Sequence, residues 1–202
     1  PSAAMAQTYK KLPPAGVEIE APVGQLLRAR VEQLQKQIDH SAQQSADGNA
    51  WRPDVEVFVR AVRLALDQDI FFKKSQADDA NLLLDEAERR LRAVASGQRN
   101  LALLGFSDER SSDPQLLVGG FVSQIDDAVQ PYGMVIPANF DLAKTLPLRM
   151  DVWLHGRGDT KTEIPFLRER MTKVGQYAPA DTIVLHPFGR HCNAFKFAGE
   201  RD

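Results

Sequence analysis

The spacing of apolar residues divides the chain into a helical first half and an extended second half. In residues 22–46, apolar positions recur every three or four residues, at Val23, Leu27, Val31, Leu34 and Ile38. This spacing is typical of an amphipathic helix. It recurs after Pro53 and again over residues 78–95. Three such helices with short links predict a small helical layer.

The pattern changes after the polar break at Ser111–Pro114. Residues 116–125 and 129–136 are strand candidates, and Asp126 and Asp127 lie between them, which predicts an antiparallel hairpin. Apolar residues alternate over 148–154, predicting a third strand. A helix is predicted over 161–174, and residues 182–186 form a fully apolar strand of the kind found inside a parallel sheet.

The order of hairpin, strand, helix and strand predicts an α/β sheet with an antiparallel edge. We expect a flexible tail over residues 1–20, a helical domain over 21–100 and the first part of a sheet domain over 113–202. The sheet lacks an end, because only a loop and a short polar segment follow residue 186. We therefore expect the strand at 182–186 to present an unpaired edge.

Composition narrows the function classes. The chain has 202 residues, a net charge of -2 and no basic stripe, which argues against a nucleic-acid partner. No apolar run is long enough for a membrane span. The single cysteine, Cys192, excludes an internal disulfide framework. The charges of the third helix, Glu86, Glu88, Arg89 and Arg90, are predicted to form a solvated face.

The first residues bear on localisation. Ala4-Met5-Ala6 resembles the small-residue end of a secretory signal, although no apolar core precedes it. This favours a secreted or periplasmic protein. The alternative is a disordered tail.

The most informative stretch joins the third strand to the helix that follows. The sequence His155-Gly156-Arg157-Gly158-Asp159 leaves backbone N–H groups uncovered at a glycine-rich turn. Residues 160–163 (Thr-Lys-Thr-Glu) match a capping box, which predicts a helix start there, and Gly175 is expected to end that helix. A strand, a glycine turn and a helix N-terminus together suit an anion or a developing oxyanion.

Three blocks of sequence resemble a known family. They are residues 130–137 (QPYGMVIP), 152–159 (VWLHGRGD) and 183–190 (IVLHPFGR). Together they resemble the opening of the α/β-hydrolase fold, and are most similar to secreted, prolyl-oligopeptidase-like and esterase-like bacterial hydrolases with a helical N-terminal extension. The fold class implied is α/β: an incomplete hydrolase sheet preceded by a small helical domain.

The resemblance implies serine hydrolysis of an ester or peptide substrate, without a cofactor or metal. In that family the His-Gly loop supplies a backbone donor of the oxyanion hole, and the matching positions are Gly156 and Arg157. The substrate-binding residues implied are His155, Asp159, Phe188 and Arg190. The family's G-x-S-x-G nucleophile motif is missing from all 202 residues, so the nucleophile, acid and catalytic histidine are expected in the remainder of the same polypeptide.

Other interpretations stay open. Gly156 and Arg157 could form a tight turn needed only for packing. His155, His186 and His191 with Asp159 could bind a metal, but no recognised ligand spacing supports this. Cys192 lacks the strand-to-helix elbow that would expose a nucleophile. The runner-up function is a non-catalytic binding module whose sheet is completed by another chain.

Overall fold

The computed structural model describes residues 14–45, 49–107, 111–141, 149–156 and 158–189. Its helices are α1 (Ala21–Gln44), α2 (Arg52–Asp67), α3 (Gln76–Ala95), α4 (Asn100–Leu103) and α5 (Glu163–Thr172). Its strands are β1 (Gln115–Val122), β2 (Val129–Ile136), β3 (Arg149–Val152) and β4 (Thr182–Pro187). The chain is therefore α/β, with a helical N-terminal region followed by a small mixed sheet.

The four strands form one sheet in the order β1-β2-β4-β3. β1 pairs antiparallel with β2 in unbroken register from Gln115↔Ile136 to Val122↔Val129, which confirms the predicted hairpin. β2 pairs antiparallel with β4, and β4 pairs parallel with β3. α5 is the crossover helix between the two parallel strands, as a parallel connection requires.

The expected position of the unpaired edge was wrong. β4 lies inside the sheet, with Met134 of β2 and Val152 of β3 as the partners of its Leu185 on either side. The crossover through α5 places β4 between the β1–β2 hairpin and β3, so β3 is an outer strand. Among the described residues, the outer strands are therefore β1 and β3, and residues 183–185 are paired on at least one side and flanked by strands on both.

The helical layer packs on one face of the sheet through a continuous core. One cluster of buried side chains joins Leu27 and Phe58 of the helices to Val118 and Val129 of the hairpin. The helices approach closely where the strands carry glycine: a Cβ at Gly120 would lie 2.2 Å from the Pro53 carbonyl oxygen. On the opposite face a smaller cluster, Leu104, Leu117 and Ile136, covers the β1 end of the sheet.

A buried polar network joins the helices to the hairpin, and it corrects the prediction of a solvated face. Arg90 is only 2% exposed. Its Nε donates to Glu86 Oε1 (2.6 Å) and its Nη1 donates to the Asp54 carbonyl oxygen (2.8 Å). Asp54 Oδ1 in turn accepts the N–H of Gly120 (3.0 Å). Apolar spacing could not reveal this, because the helix positions of Glu86 and Arg90 look like an ordinary exposed i,i+4 pair.

Several predicted boundaries shift. The first strand ends at Val122, the third helix begins at Gln76, and the short helix α4 was not predicted. Residues 14–20 of the predicted tail run along the helical layer, where the Val17 N–H donates to the Phe71 carbonyl oxygen (2.6 Å). The secretory-signal prediction at Ala4-Met5-Ala6 and the cysteine interpretation lie outside the described residues. Within the described ranges, no helix is long and apolar enough to cross a membrane.

Candidate functional site

The outer strand β3 leads directly to the glycine loop. The Trp153 N–H donates to the Leu185 carbonyl oxygen (2.8 Å), so pairing with β4 continues one residue beyond β3. Backbone groups of successive residues in a strand alternate in direction. With Trp153 bonded to β4, the N–H and C=O groups of Met150 and Val152 point to the open edge.

Along this edge, charged side chains alternate with apolar ones: Arg149 pairs with Asp151 (2.8 Å), and the apolar side chains are exposed. Met150 is 57% exposed, Val152 is 55% exposed and Leu154 is 56% exposed. Trp153 stacks on Tyr177 with ring centroids 5.3 Å apart. Exposed apolar side chains beside unpaired backbone groups form a template for a further strand.

His155 lies just after the strand and is buried. Its Nδ1 is 2.9 Å from the Gly156 carbonyl oxygen, and its Nε2 is 3.4 Å from the Gly189 N–H nitrogen. A carbonyl only accepts and an N–H only donates, so the ring carries its proton on Nδ1. The imidazole stacks on Phe188 (centroids 5.3 Å apart) and lies 6.0 Å from Phe166. His155 thus connects two loops, and its predicted contact with substrate stays a prediction.

Gly156 is exposed and has open space around it. A Cβ added at Gly156 would meet no atom within 4 Å, and its φ is not in the left-handed region. The expectation that a special glycine conformation makes the turn therefore fails at this position. What the missing side chain provides is an unobstructed approach to the backbone.

The helix start also differs from the predicted capping box. α5 begins at Glu163, and Thr162, not Thr160, occupies the N-cap position, without a side-chain cap hydrogen bond. Glu163 is buried and forms an ion pair with Arg60 of α2. The carboxylate that was expected to cap the helix thus attaches α5 to the helical layer. The helix ends at Thr172, three residues before Gly175.

A cavity of about 270 Å³ lies between the end of β3 and α5. Its lining comprises Trp153, Leu154, His155, Gly156, Lys161, Phe166, Glu169, Arg170, Gly175, Gln176 and His186. Gly156 thus lies beside a concave surface that is apolar on one side and cationic on the other.

His186 and Arg170 form the floor of this cavity. Arg170 Nη1 is 3.4 Å from His186 Nε2, and Arg170 Nη2 is 2.6 Å from Glu169 Oε1. Gly133 makes room for this arginine, since a Cβ there would lie 2.6 Å from Arg170 Cγ. Burial, reinforced by the Arg170 charge, lowers the pKa of His186 to about 4. His186 is therefore a neutral acceptor at pH 7.

The remaining predicted residues are scattered. Phe188 is buried against Phe166 (centroids 4.8 Å apart), so it packs in the core and does not line the cavity. Asp159 is half-buried in the turn before α5 and does not line the cavity. Arg157 and Arg190 lie outside the described residues.

Sequence reasoning missed Lys161 and Arg170 as cavity residues, because helix periodicity says nothing about which charged side chain faces a strand end. His155 and His186 lie near the carboxyl ends of β3 and β4, which are adjacent in the sheet. The metal alternative depended on these two with His191, which lies outside the described residues. In the part of the chain that the structure describes, no group of three or more His, Cys, Asp or Glu could hold a metal.

Comparison with known proteins leaves the family open: no family model matches the chain, and no curated protein or solved structure matches it.

Proposed function

We propose that this chain contributes the oxyanion-binding half of a serine hydrolase of the α/β-hydrolase type, which cleaves an ester or peptide bond. The observation that carries the proposal is the order β1-β2-β4-β3, with an outer parallel strand followed by a loop that contains the exposed Gly156. This is the order expected where an α/β-hydrolase sheet begins. Neither the helices nor the hairpin alone would support the proposal.

The mechanism assigned to this chain is electrostatic. Attack on an ester or amide carbonyl produces a negatively charged oxygen, and backbone N–H groups fixed in advance stabilise that charge without reorganising. Gly156 and Arg157 are the proposed donors. The open space around Gly156 lets the substrate oxygen approach the main chain.

The nucleophile, the acid and the catalytic histidine belong, in this proposal, to the remainder of the same polypeptide. His155 does not substitute for the catalytic base, since contacts with Gly156 and Gly189 occupy both of its ring nitrogens. His186 is a poor base as well, because its pKa is lowered to about 4. The secreted or periplasmic location also remains part of the proposal, on the strength of Ala4-Met5-Ala6.

The test uses a polypeptide that extends far enough to include a nucleophile. Gly156→Pro removes one N–H donor, so kcat for a small activated ester should fall on the order of 10²–10³-fold. Gly156→Ala is the matched control: it keeps the N–H, its φ permits alanine, and its Cβ meets nothing within 4 Å. Its kcat should stay within a few-fold of the parent. A folded Gly156→Pro enzyme with unchanged kcat would contradict the assignment.

The open edge of β3 favours one second candidate, a non-catalytic module whose sheet another chain completes. Three apolar side chains exposed by more than half their area support it. The two functions differ in one readout. The module binds a strand-forming partner and shows no turnover in any polypeptide that contains it.

A further inference from the structure

We infer that His155 is a positioning residue that holds the Gly156 peptide group by tying the loop after β3 to the loop after β4. Its relevance to catalysis rests on the proposed function of Gly156, but the tie itself can be measured without any activity. The inference differs from the substrate-binding role that the sequence predicts for His155.

One of the two hydrogen bonds of His155 holds a peptide group of the glycine loop. His155 Nδ1–H donates to the Gly156 carbonyl oxygen at 2.9 Å. A peptide unit is planar and trans, so its N–H points away from its carbonyl oxygen. The N–H in that peptide unit is carried by residue 157, the second proposed donor, and not by Gly156. Fixing the Gly156 carbonyl therefore constrains the peptide unit that Gly156 shares with residue 157, and an oxyanion donor must be oriented before the substrate arrives.

The other ring nitrogen of His155 contacts the loop after β4. Nε2 accepts from the Gly189 N–H at 3.4 Å, a long hydrogen bond that joins the β4 loop to the β3 loop. The preceding residue is itself fixed, because the Phe188 N–H donates to the Pro131 carbonyl oxygen of β2 (3.2 Å). The imidazole is thus attached to a part of the chain that the sheet holds in place.

Two aromatic side chains pack against the His155 ring. The ring stacks on Phe188 at 5.3 Å, and Phe166 of α5 approaches from the side at 6.0 Å. Rotation of the ring would break both polar contacts and this aromatic packing together. One rotamer is therefore strongly favoured over the alternatives.

The charge state agrees with this geometry. Burial is the largest cause that lowers the pKa of His155, and the positive charges of Lys161 and Arg170 act in the same direction. Glu169 and the contact with the Gly156 carbonyl oppose the shift but do not reverse it. The nearby His186 is also neutral at pH 7. Protonation of Nε2 would turn the acceptor into a donor facing the Gly189 N–H.

The direct experiment is nitrogen NMR of the histidine rings in the 202-residue chain at pH 7.5. We expect His155 to be neutral with its proton on Nδ1, since only that tautomer satisfies both contacts. His40, which is exposed on α1 with its Nε2 3.0 Å from Gln44 Nε2, is the internal reference for a ring that the core does not hold. A proton on Nε2 of His155 would overturn the inference.

Three substitutions separate the two contacts. His155→Phe keeps the stacking and loses both hydrogen bonds, so exchange of the Gly189 amide hydrogen should be roughly 2- to 10-fold faster. His155→Gln places an acceptor near the Nε2 position and should restore slow exchange at Gly189. His155→Asn places a donor near the Nδ1 position and should leave Gly189 fast. His40→Phe is the matched control and should leave Gly189 unchanged.

The catalytic arm uses the polypeptide that carries the nucleophile. There His155→Phe should lower kcat with little change in KM, and Asn, which keeps the donor to Gly156, should recover more of kcat than Gln. A purely structural role predicts the same loss for Asn and Gln. If the tautomer and exchange results hold while no variant or parent has activity, the tie stands and the proposed function fails. Unchanged exchange at Gly189 in a folded His155→Phe chain would contradict the tie.

Discussion

The helical layer buries its apolar side chains, whereas the outer strand β3 leaves its apolar side chains exposed. In the layer, Leu84 and Phe58 are fully buried, and even Arg90 finds partners on α2 and α3. In β3, Met150 and Val152 are more than half exposed and their backbone groups have no neighbouring strand among the described residues. The apolar side chains of the helical layer are thus covered, and β3 presents apolar side chains that the described residues leave exposed.

The contrast locates the apolar surface that the described residues leave uncovered. Parallel strands are normally covered on both faces by crossover helices. In β3 the face that carries Met150 and Val152 is exposed, and β4 pairs with only one of its edges. Because the glycine loop follows β3, this exposed strand and the candidate site lie next to each other.

The largest expected effect is on the free energy of unfolding, when a leucine is replaced by alanine in each of the two regions. Leu84→Ala removes a fully buried side chain from the helical layer, so it should lower the free energy of unfolding by about 2–5 kcal/mol. Leu154→Ala, at a side chain that is 56% exposed, should change it by less than about 0.5 kcal/mol. Urea unfolding monitored by circular dichroism measures both. Equal losses would mean that the end of β3 is packed in solution.

A smaller effect is expected from pH, and it arises at the cavity. The folded pKa values of His155 and His186 lie below the ordinary value, so the unfolded chain binds more protons. Their contribution to stability is therefore present above about pH 6.5 and is lost as the pH falls towards 4, at no more than about 1.4 kcal/mol per pH unit for each histidine. Urea unfolding at pH 7.5, 6.0 and 5.0 should show this decline.

The matched variant for this pH effect is His186→Gln, which keeps an acceptor for Arg170 but does not titrate. Its stability should depend less steeply on pH than that of the parent. A parent stability that is constant between pH 7.5 and 5.0 would contradict the burial of these rings.

The smallest effect on unfolding should come from the edge itself, where the change appears in association. We expect the 202-residue chain to self-associate through β3, as exposed edge strands do. Val152→Lys should reduce this association and leave the free energy of unfolding nearly unchanged. Leu26→Lys on α1, at a side chain that is 57% exposed, is the control and should not reduce it. Sedimentation velocity measures this association. A parent chain that stays monomeric at high concentration would show that the β3 edge does not mediate self-association.

The same contrast explains what the sequence could predict. Regular apolar spacing shows which face of a helix or strand is buried. The helices α1, α2 and α3 and the hairpin were therefore predicted close to their positions. The edge was placed on the wrong strand because apolar content describes burial and not strand order. Residues 183–185 are apolar because β4 is central, and the crossover through α5 decided this.

Within the site, the local motif located Gly156 but could not say what its neighbours do. His155 and Phe188 were predicted to contact substrate, and the structure shows that they stack on each other, which the sequence did not predict. Their roles depend on two loops, about 30 residues apart in sequence, meeting at the carboxyl ends of β3 and β4. Glu163 was expected to cap α5 and instead pairs with Arg60, because no local pattern reveals a partner on another helix.

The central claim is that this chain supplies oxyanion donors and that the nucleophile lies elsewhere in the polypeptide. Labelling with a fluorophosphonate, followed by peptide mapping, tests it most directly, because the probe reacts with an activated serine. The 202-residue chain should remain unlabelled. A polypeptide extended to include the nucleophile should be labelled at one serine outside residues 1–202, and Gly156→Pro should slow that labelling. Robust labelling of a serine within the 202 residues would contradict the account.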